Sequence, residues 1–404
     1  MASTLRDPAF AVTLAARYGA VRARSEALCT PLFTEDFVVS SMPDVSPTKW
    51  HLAHTSWFFE TFVLSPSDLT YVSPDPRYAF LFNSYYVQAG ERHCRAQRGL
   101  LTRPTVEEVF AYRRHVDEHV HRLLSRSLDP ALRDLVDLGL HHEQQHQELL
   151  LTDIKHVMWT NPMKPALWAR GSEAWAAPIV ESPPALSWRE LPDGIQRIGD
   201  DTTGFAFDNE RPAHRVFVDR YRIASRLVTN GEYRAFINDG GYRRPDLWLA
   251  AGWAIVHQEK RTAPIYWEQR AGELSEFTLS GQGPIVDAAP VCHVSYFEAD
   301  AYARWAGARL PTEAEWEVAA RSHPELSDLF GQRWQWTQSA YVAYPGFAPA
   351  KGAVGEYNGK WMSDQWVLRG SSCATPPGHS RVTYRNFFPS DARWQFTGIR
   401  LASS

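Results

Sequence analysis

The sequence predicts an α+β protein in which an N-terminal four-helix bundle is followed by an irregular domain of short strands and long loops. Three observations carry that prediction. Residues 8–165 hold long helical periodicities opened by capping residues, residues 166–190 are proline-rich and aperiodic, and in residues 191–404 many aromatic side chains crowd among glycines and prolines. At 404 residues the chain is too long for one ordinary core, and two domains joined by the 166–190 linker account for its length.

The first helical pattern runs from residue 8 to about residue 30 and ends near Cys29-Thr-Pro. The second opens at Ser46-Pro47, an N-cap followed by a proline in the first turn, and continues through Glu60. Within it Trp50, His54, Trp57 and Thr61 share a face, while His51 sits roughly 100° away around the axis. A capping box at Thr105-Val-Glu-Glu108 starts the third helix, with Val109, Tyr112, Val116, Val120 and Leu123 on one side. Asp129-Pro130 starts the fourth. The connection from 66 to 104 is too long for a simple turn, which points to a functional loop; it carries Phe82-Asn-Ser-Tyr-Tyr86 and the basic run Arg92-His-Cys-Arg95-Ala-Gln-Arg98. Taken alone, those arginines read as a solvated face. In the second half only short helices are expected, opening at the capping boxes Thr229–Glu232, Ser295–Glu298 and Thr312–Glu315.

Composition excludes several classes of function. With 42 Lys plus Arg against 46 Asp plus Glu and no block of like charge, the chain has no nucleic-acid footprint. The N-terminus lacks an apolar signal segment and no run is long enough to span a membrane, so a cytoplasmic protein without membrane contact is expected. The cysteines Cys29, Cys94, Cys292 and Cys373 are scattered and lack Cys-x-x-Cys spacing, which argues against a disulfide framework and a structural zinc site.

The chemistry concentrates in Leu138–Leu151, where His142 and His146 are one helical turn apart. Leu135, Leu138, His142, Gln145, His146 and Leu149 follow steps of three and four, so the histidines continue an apolar stripe and are expected to point into the bundle. Each ring nitrogen turned inward needs a partner, and a divalent metal supplies one. His54 also points inward by phase. His51 is the weaker candidate.

These residues carry a resemblance. Phe207–His214, Leu227–Tyr233, Gly307–Glu317, Trp334-Gln-Trp-Thr337 and Gly398–Leu401 resemble the formylglycine-generating-enzyme/sulfatase-modifying fold, an elaborated C-type-lectin-like domain. Trp50–His54 and His142–His146 resemble the DinB-like four-helix bundle. Joined in this order, over nearly the whole chain, they resemble the EgtB-type sulfoxide synthases of ergothioneine biosynthesis, cysteine-using branch.

That resemblance implies an iron-dependent oxidoreductase with a non-haem Fe(II) held by His54, His142 and His146. Three neutral imidazoles leave up to three positions on an octahedral ion for an imidazole, a thiolate and dioxygen. The implied reaction joins the sulfur of cysteine or γ-glutamylcysteine to C2 of the imidazole of hercynine (Nα-trimethylhistidine) and oxidises that sulfur. The implied partners are therefore small molecules: hercynine, cysteine and O2. Asn386, Phe387 and Phe388 match the family's cage for the trimethylammonium group, which offers no hydrogen-bond donor and so favours aromatic faces. Gln145 matches the position that bonds the substrate's imidazole or carboxylate.

Phe388 stands where γ-glutamylcysteine-preferring relatives carry an acidic residue, so free cysteine is the expected donor. Tyr85 and Tyr86 match the catalytic tyrosines of the cysteine-using branch, with Tyr86 placed first as the proton donor and Tyr85 as its substitute. Arg92 and Arg95 become candidates for holding a substrate carboxylate. Formylglycine-generating activity is not expected, because Cys292 and Cys373 lack the paired-cysteine signature. Two other readings fit the same motifs: a selenoneine synthase taking a selenosugar, and a non-catalytic module that binds quaternary amines.

Overall fold

The computed structural model describes residues 13–169, 182–270 and 272–404, so the centre of the expected linker, 170–181, and the expected helix start at residues 8–12 lie outside the described residues. Four long helices make the N-terminal part: α1 (Leu14–Cys29), α2 (Thr48–Phe58), α3 (Val106–Leu124) and α4 (Pro130–Thr160). Local signals set their starts. Thr13 accepts from the Ala16 amide at 3.2 Å, Thr105 and Glu108 close the predicted capping box, and Asp129 accepts from the Leu132 amide at 2.9 Å ahead of Pro130.

The start of α2 departs from the expectation. Pro47 occupies the N-cap and Ser46 does not cap: its amide donates to Asp153 and its hydroxyl accepts from Arg98, both at 2.9 Å. At the other end the helix continues as a π-turn over Phe59–Leu64, which includes Glu60. Every residue of α2 is buried, because α1, α3 and α4 enclose it together with the 66–104 connection. At Gly139 of α4 the packing is close enough that a Cβ would lie 2.6 Å from the Phe59 ring. A buried ion cluster ties three helices together: Glu143 of α4 pairs with Arg22 of α1 at 2.9 Å and Arg113 of α3 at 3.0 Å. Burial alone would raise the Glu143 carboxyl, but the two guanidiniums overcome it and hold it at about 2.

The C-terminal part contains small sheets and short helices. The strands Trp188–Leu191, Tyr221–Ala224 and Ala402–Ser403 form one antiparallel sheet, and Trp267–Arg270, Glu273–Thr278 and Gly281–Pro284 form a meander. The sheet that faces the bundle contains Asn386–Phe388, Trp366–Gly370, Trp334–Ala340 and Thr397–Gly398, in that spatial order. All three predicted capping boxes start helices: Asn230–Asn238, Tyr296–Trp305 and Glu313–Ser322. A further helix, Ala250–Glu259, has no side-chain cap and left no start signal in the sequence. One core cluster runs through both parts, a second lies within the C-terminal part, and α4 carries side chains that reach across. Glu148 there accepts from Trp334 Nε1 at 2.7 Å, Ser372 Oγ at 2.5 Å and Thr375 Oγ1 at 2.6 Å.

Candidate metal and substrate site

His54, His142 and His146 converge so that one ring nitrogen of each lies within 4.8 Å of the others. Backbone geometry explains His54: its Nδ1 donates to the Phe82 carbonyl at 2.6 Å, which turns Nε2 toward His142 Nε2 at 3.2 Å. Trp50 and Trp57 stack on the His54 ring at centroid distances of 4.6 and 5.5 Å, and Phe58 stacks on His142 at 4.6 Å. His142 Nδ1 is buried with no hydrogen-bond partner among the described residues. Burial first, and then the neighbouring imidazole, holds His54 well below its usual value; burial puts His142 at about 3, and burial with both neighbouring rings depresses His146. Neutral imidazoles with lone pairs facing one another are the donor set a divalent metal needs, so the three residues could hold one.

The expected stripe on α4 is only partly the buried one. Val136, Gly139, Leu140, Glu143, Gln147 and Leu150 are buried against the bundle, whereas Leu135, Leu138, Gln145 and Leu149 are half-buried on the other side. His142 and His146 lie between these two faces. His51, the weaker candidate, is not one of the three converging residues but is buried beside them: it is 3% exposed and its Nδ1 lies 2.9 Å from His146 Nδ1. Helical phase could not exclude it because α2 has no solvent side.

A pocket of about 540 Å³ opens in front of His142 and His146, walled by α4, the 66–104 connection and the sheet of the C-terminal part. Asn386, Phe387, Phe388, Gln145, Arg92, Arg95 and Tyr85 all line it. Phe387 stacks on Tyr341 at 4.1 Å, and Gln145 Nε2 donates to Tyr384 Oη at 2.5 Å. Arg92 and Arg95 are exposed at the pocket's edge, and Arg95 donates to the Asp44 carbonyl at 2.6 Å. Tyr86 does not line the pocket. It is fully buried between Trp57 and Phe62, with Tyr85 stacked on it at 4.6 Å, so Tyr85 is the one presented. Asn83 holds this turn, accepting from the Tyr86 amide at 3.2 Å and donating to its carbonyl at 2.9 Å. From the other side Glu356 accepts from the Val87 amide at 2.6 Å and Lys360 donates to the Tyr85 carbonyl at 3.1 Å.

Arg98, read from sequence as part of a solvated basic run, is instead buried, and Tyr357 was not singled out by sequence; both line the pocket. Arg98 is 3% exposed, lies 3.4 Å over the Trp50 ring, and donates to Ser46 Oγ at 2.9 Å and Ser84 Oγ at 3.3 Å. It has no carboxylate at ion-pair distance among the described residues, and its Nε has no partner there, so burial lowers its pKa. A buried, unpaired guanidinium beside a pocket is a ready anion partner. Tyr357 comes from the C-terminal part; its ring lies 5.6 Å from that of His142 and its Oη has no partner among the described residues. Burial raises both Tyr85 and Tyr357 well above the usual phenol value, so both stay protonated. No local pattern marks Tyr357 or separates Arg98 from the rest of its basic run, because each owes its place to neighbours far away in sequence.

A helix bundle and a sheet domain sharing a three-histidine pocket define a two-domain chain with a metal-competent centre at their junction. The DinB superfamily model matches residues 17–150, and the sulfatase-modifying factor enzyme 1-like domain matches residues 190–326. The hercynine oxygenase of Mycolicibacterium smegmatis is 30% identical over 422 residues, covering 89% of this chain and 91% of that protein. The hercynine oxygenase of Mycolicibacterium thermoresistibile is 31% identical over 415 residues, covering 89% and 88%. Similarity to the formylglycine-generating enzyme of Streptomyces coelicolor, 35% over 164 residues, covers only 36% of this chain. The chain belongs to the hercynine oxygenase family and is an enzyme of the oxygenase type. No helix among the described residues is long and apolar enough to cross a membrane.

Proposed function

We propose that this protein is an Fe(II)- and O2-dependent sulfoxide synthase that joins the sulfur of cysteine to the imidazole C2 of hercynine and oxygenates that sulfur. The observation that carries this reading is the convergence of three neutral histidines, His54 and His142 buried and His146 half-buried, behind a pocket that His142 and His146 line and whose opposite wall is Asn386, Phe387 and Phe388. His54, His142 and His146 would hold the iron, which supplies sites for dioxygen and thiolate and the redox change that couples them.

The chain's own groups supply the rest. Phe387, Phe388 and the Asn386 amide oxygen offer a quaternary ammonium aromatic faces and an acceptor, the contacts such a cation favours. Gln145 stands beside the metal histidines and orients the substrate imidazole through its amide. Arg98, with Arg92 and Arg95 at the edge, takes a substrate carboxylate. Tyr85 or Tyr357 holds the proton that steers oxygen away from simple sulfur dioxygenation. Lacking a carboxylate at Phe388, the pocket has no anionic partner at that position for the amino group of a γ-glutamyl extension, which favours free cysteine.

The test is to reconstitute the purified protein anaerobically with Fe(II), add hercynine with cysteine, γ-glutamylcysteine or a selenosugar, admit oxygen, and identify products by mass spectrometry. Hercynylcysteine sulfoxide as the main product supports the reading. A selenium-containing product alone makes it a selenoneine synthase, and binding of hercynine without oxygen uptake makes it a quaternary-amine-binding module.

A further inference from the structure

The three metal-facing histidines are held by different means. His54 leans on a backbone carbonyl and His142 Nδ1 has no partner among the described residues. Among the described residues only His146 has a hydrogen-bond contact with a side chain outside the set of three, His51, which is itself held by a carboxylate: His51 Nε2 lies 3.0 Å from Asp153 Oδ2, and the same oxygen accepts from the Ser46 amide at 2.9 Å. His51 and Asp153 are 3% and 4% exposed, so water does not compete for these bonds.

The direction of this chain follows from donor and acceptor rules. An ionised carboxylate only accepts, so the proton facing Asp153 belongs to His51 Nε2. A His51 ring that carries this one proton has a lone pair at Nδ1, and the contact to His146 Nδ1 at 2.9 Å then places the proton on His146. His146 is thereby fixed as the tautomer whose Nε2 lone pair is free. The opposite direction would set a His51 lone pair against the carboxylate at 3.0 Å.

We propose that His51 and Asp153 are positioning residues that fix the tautomer and ring orientation of His146 as a metal ligand without ligating the metal themselves. This rests on the reading of His54, His142 and His146 as a metal centre, and it adds a role that no metal-ligand spacing carries. Groups that orient a ligating histidine change metal affinity by about 10- to 100-fold when removed.

The experiment titrates Co(II), against a competing chelator, into the metal-free full-length protein and three variants, reading affinity and the visible ligand-field spectrum. Far-UV circular dichroism and thermal melting of the same metal-free samples report folding. His51→Leu keeps the bulk and removes both ring nitrogens; it is expected to weaken Co(II) binding about 10- to 100-fold and to shift the spectrum. His51→Asn, whose amide oxygen reaches the place of Nδ1, is expected to recover most of the affinity. Asp153→Asn keeps the shape but not the charge and gives a smaller loss of the same sign. It decides the matter alone if His51→Leu does not fold. Wild-type affinity and spectrum in folded His51→Leu or, in that event, in folded Asp153→Asn overturn the inference. So does complete loss of binding in folded His51→Leu, as expected for His54→Ala, because His51 would then be a ligand. If the wild-type chain itself binds no Co(II) or Fe(II), the metal reading fails, which is a different result from either.

Discussion

On the helical wall of the pocket His54, His142 and His146 are held from behind by Phe82, His51 and stacked aromatic rings, whereas on the sheet wall Asn386, Phe387 and Phe388 are only half-buried. The single side-chain hydrogen bond within that triplet is local, the Asn386 amide oxygen accepting from the Phe387 amide at 2.9 Å. The difference follows from the ligand each wall suits. A metal ion held by histidines requires unprotonated imidazoles at fixed separations, and burial in the bundle supplies both that state and rigidity. A quaternary cation makes no directional bonds, so a shallow aromatic surface is enough.

That comparison is broken most directly at the metal. His54→Ala, His142→Ala and His146→Ala are each expected to abolish metal binding and turnover, measured by metal analysis after reconstitution. His141→Ala is expected to keep the metal, since His141 packs on Phe205 at 3.7 Å and meets His379 rather than the cluster. His51→Ala is expected to weaken binding without abolishing it. Full occupancy in the His54 variant with complete loss in the His51 variant would reverse the ligand assignment.

Next in size is the scaffold behind the helical wall. Glu143→Gln removes the buried carboxylate that Arg22 and Arg113 share, leaving Arg22 with Asp117 at 2.6 Å and Arg113 with Glu26 at 3.3 Å, and removing one member of such a buried pair costs about 3–5 kcal/mol. Denaturant unfolding of the metal-free protein measures it. A loss below about 1 kcal/mol would mean that the cluster relaxes or admits water and does not set the helical wall.

Between the walls the tyrosines decide the product. Tyr85→Phe is expected to retain metal and oxygen uptake while shifting product from hercynylcysteine sulfoxide toward cysteine sulfinate, because phenylalanine keeps the packing and removes only the proton donor. Tyr86→Phe, out of the pocket, is expected to keep the wild-type ratio. Mass spectrometry gives the ratio for both, and for Tyr357→Phe. A shift confined to Tyr357→Phe would move the donor to the C-terminal part.

The smallest effect belongs to the sheet wall. Asn386→Ala or Phe387→Ala should raise KM for hercynine more than KM for cysteine, since a cation against an aromatic face contributes about 0.5–2 kcal/mol. Equal changes in both constants would assign the triplet a purely structural role.

Features that depend on near neighbours were legible in the residues alone. Thr105, Thr229, Ser295 and Thr312 announce helices because a capping box closes within four residues. His142 and His146 announce a shared face because one helical turn brings them together. The buried face of α3 was legible residue by residue, Val109, Tyr112, Val116, Val120 and Leu123, because that helix has a solvent side against which to contrast its core side. Long-range packing set the environment of α2 and much of α4, where neighbours on all sides remove that contrast. It buried His51 beside His146 and set His141 against the second part of the chain. It also left Arg98 with no carboxylate at ion-pair distance among the described residues and brought Tyr357 to His142. Each of these depends on a group far away in sequence, and periodicity and spacing describe only what one element presents, never what is packed against it.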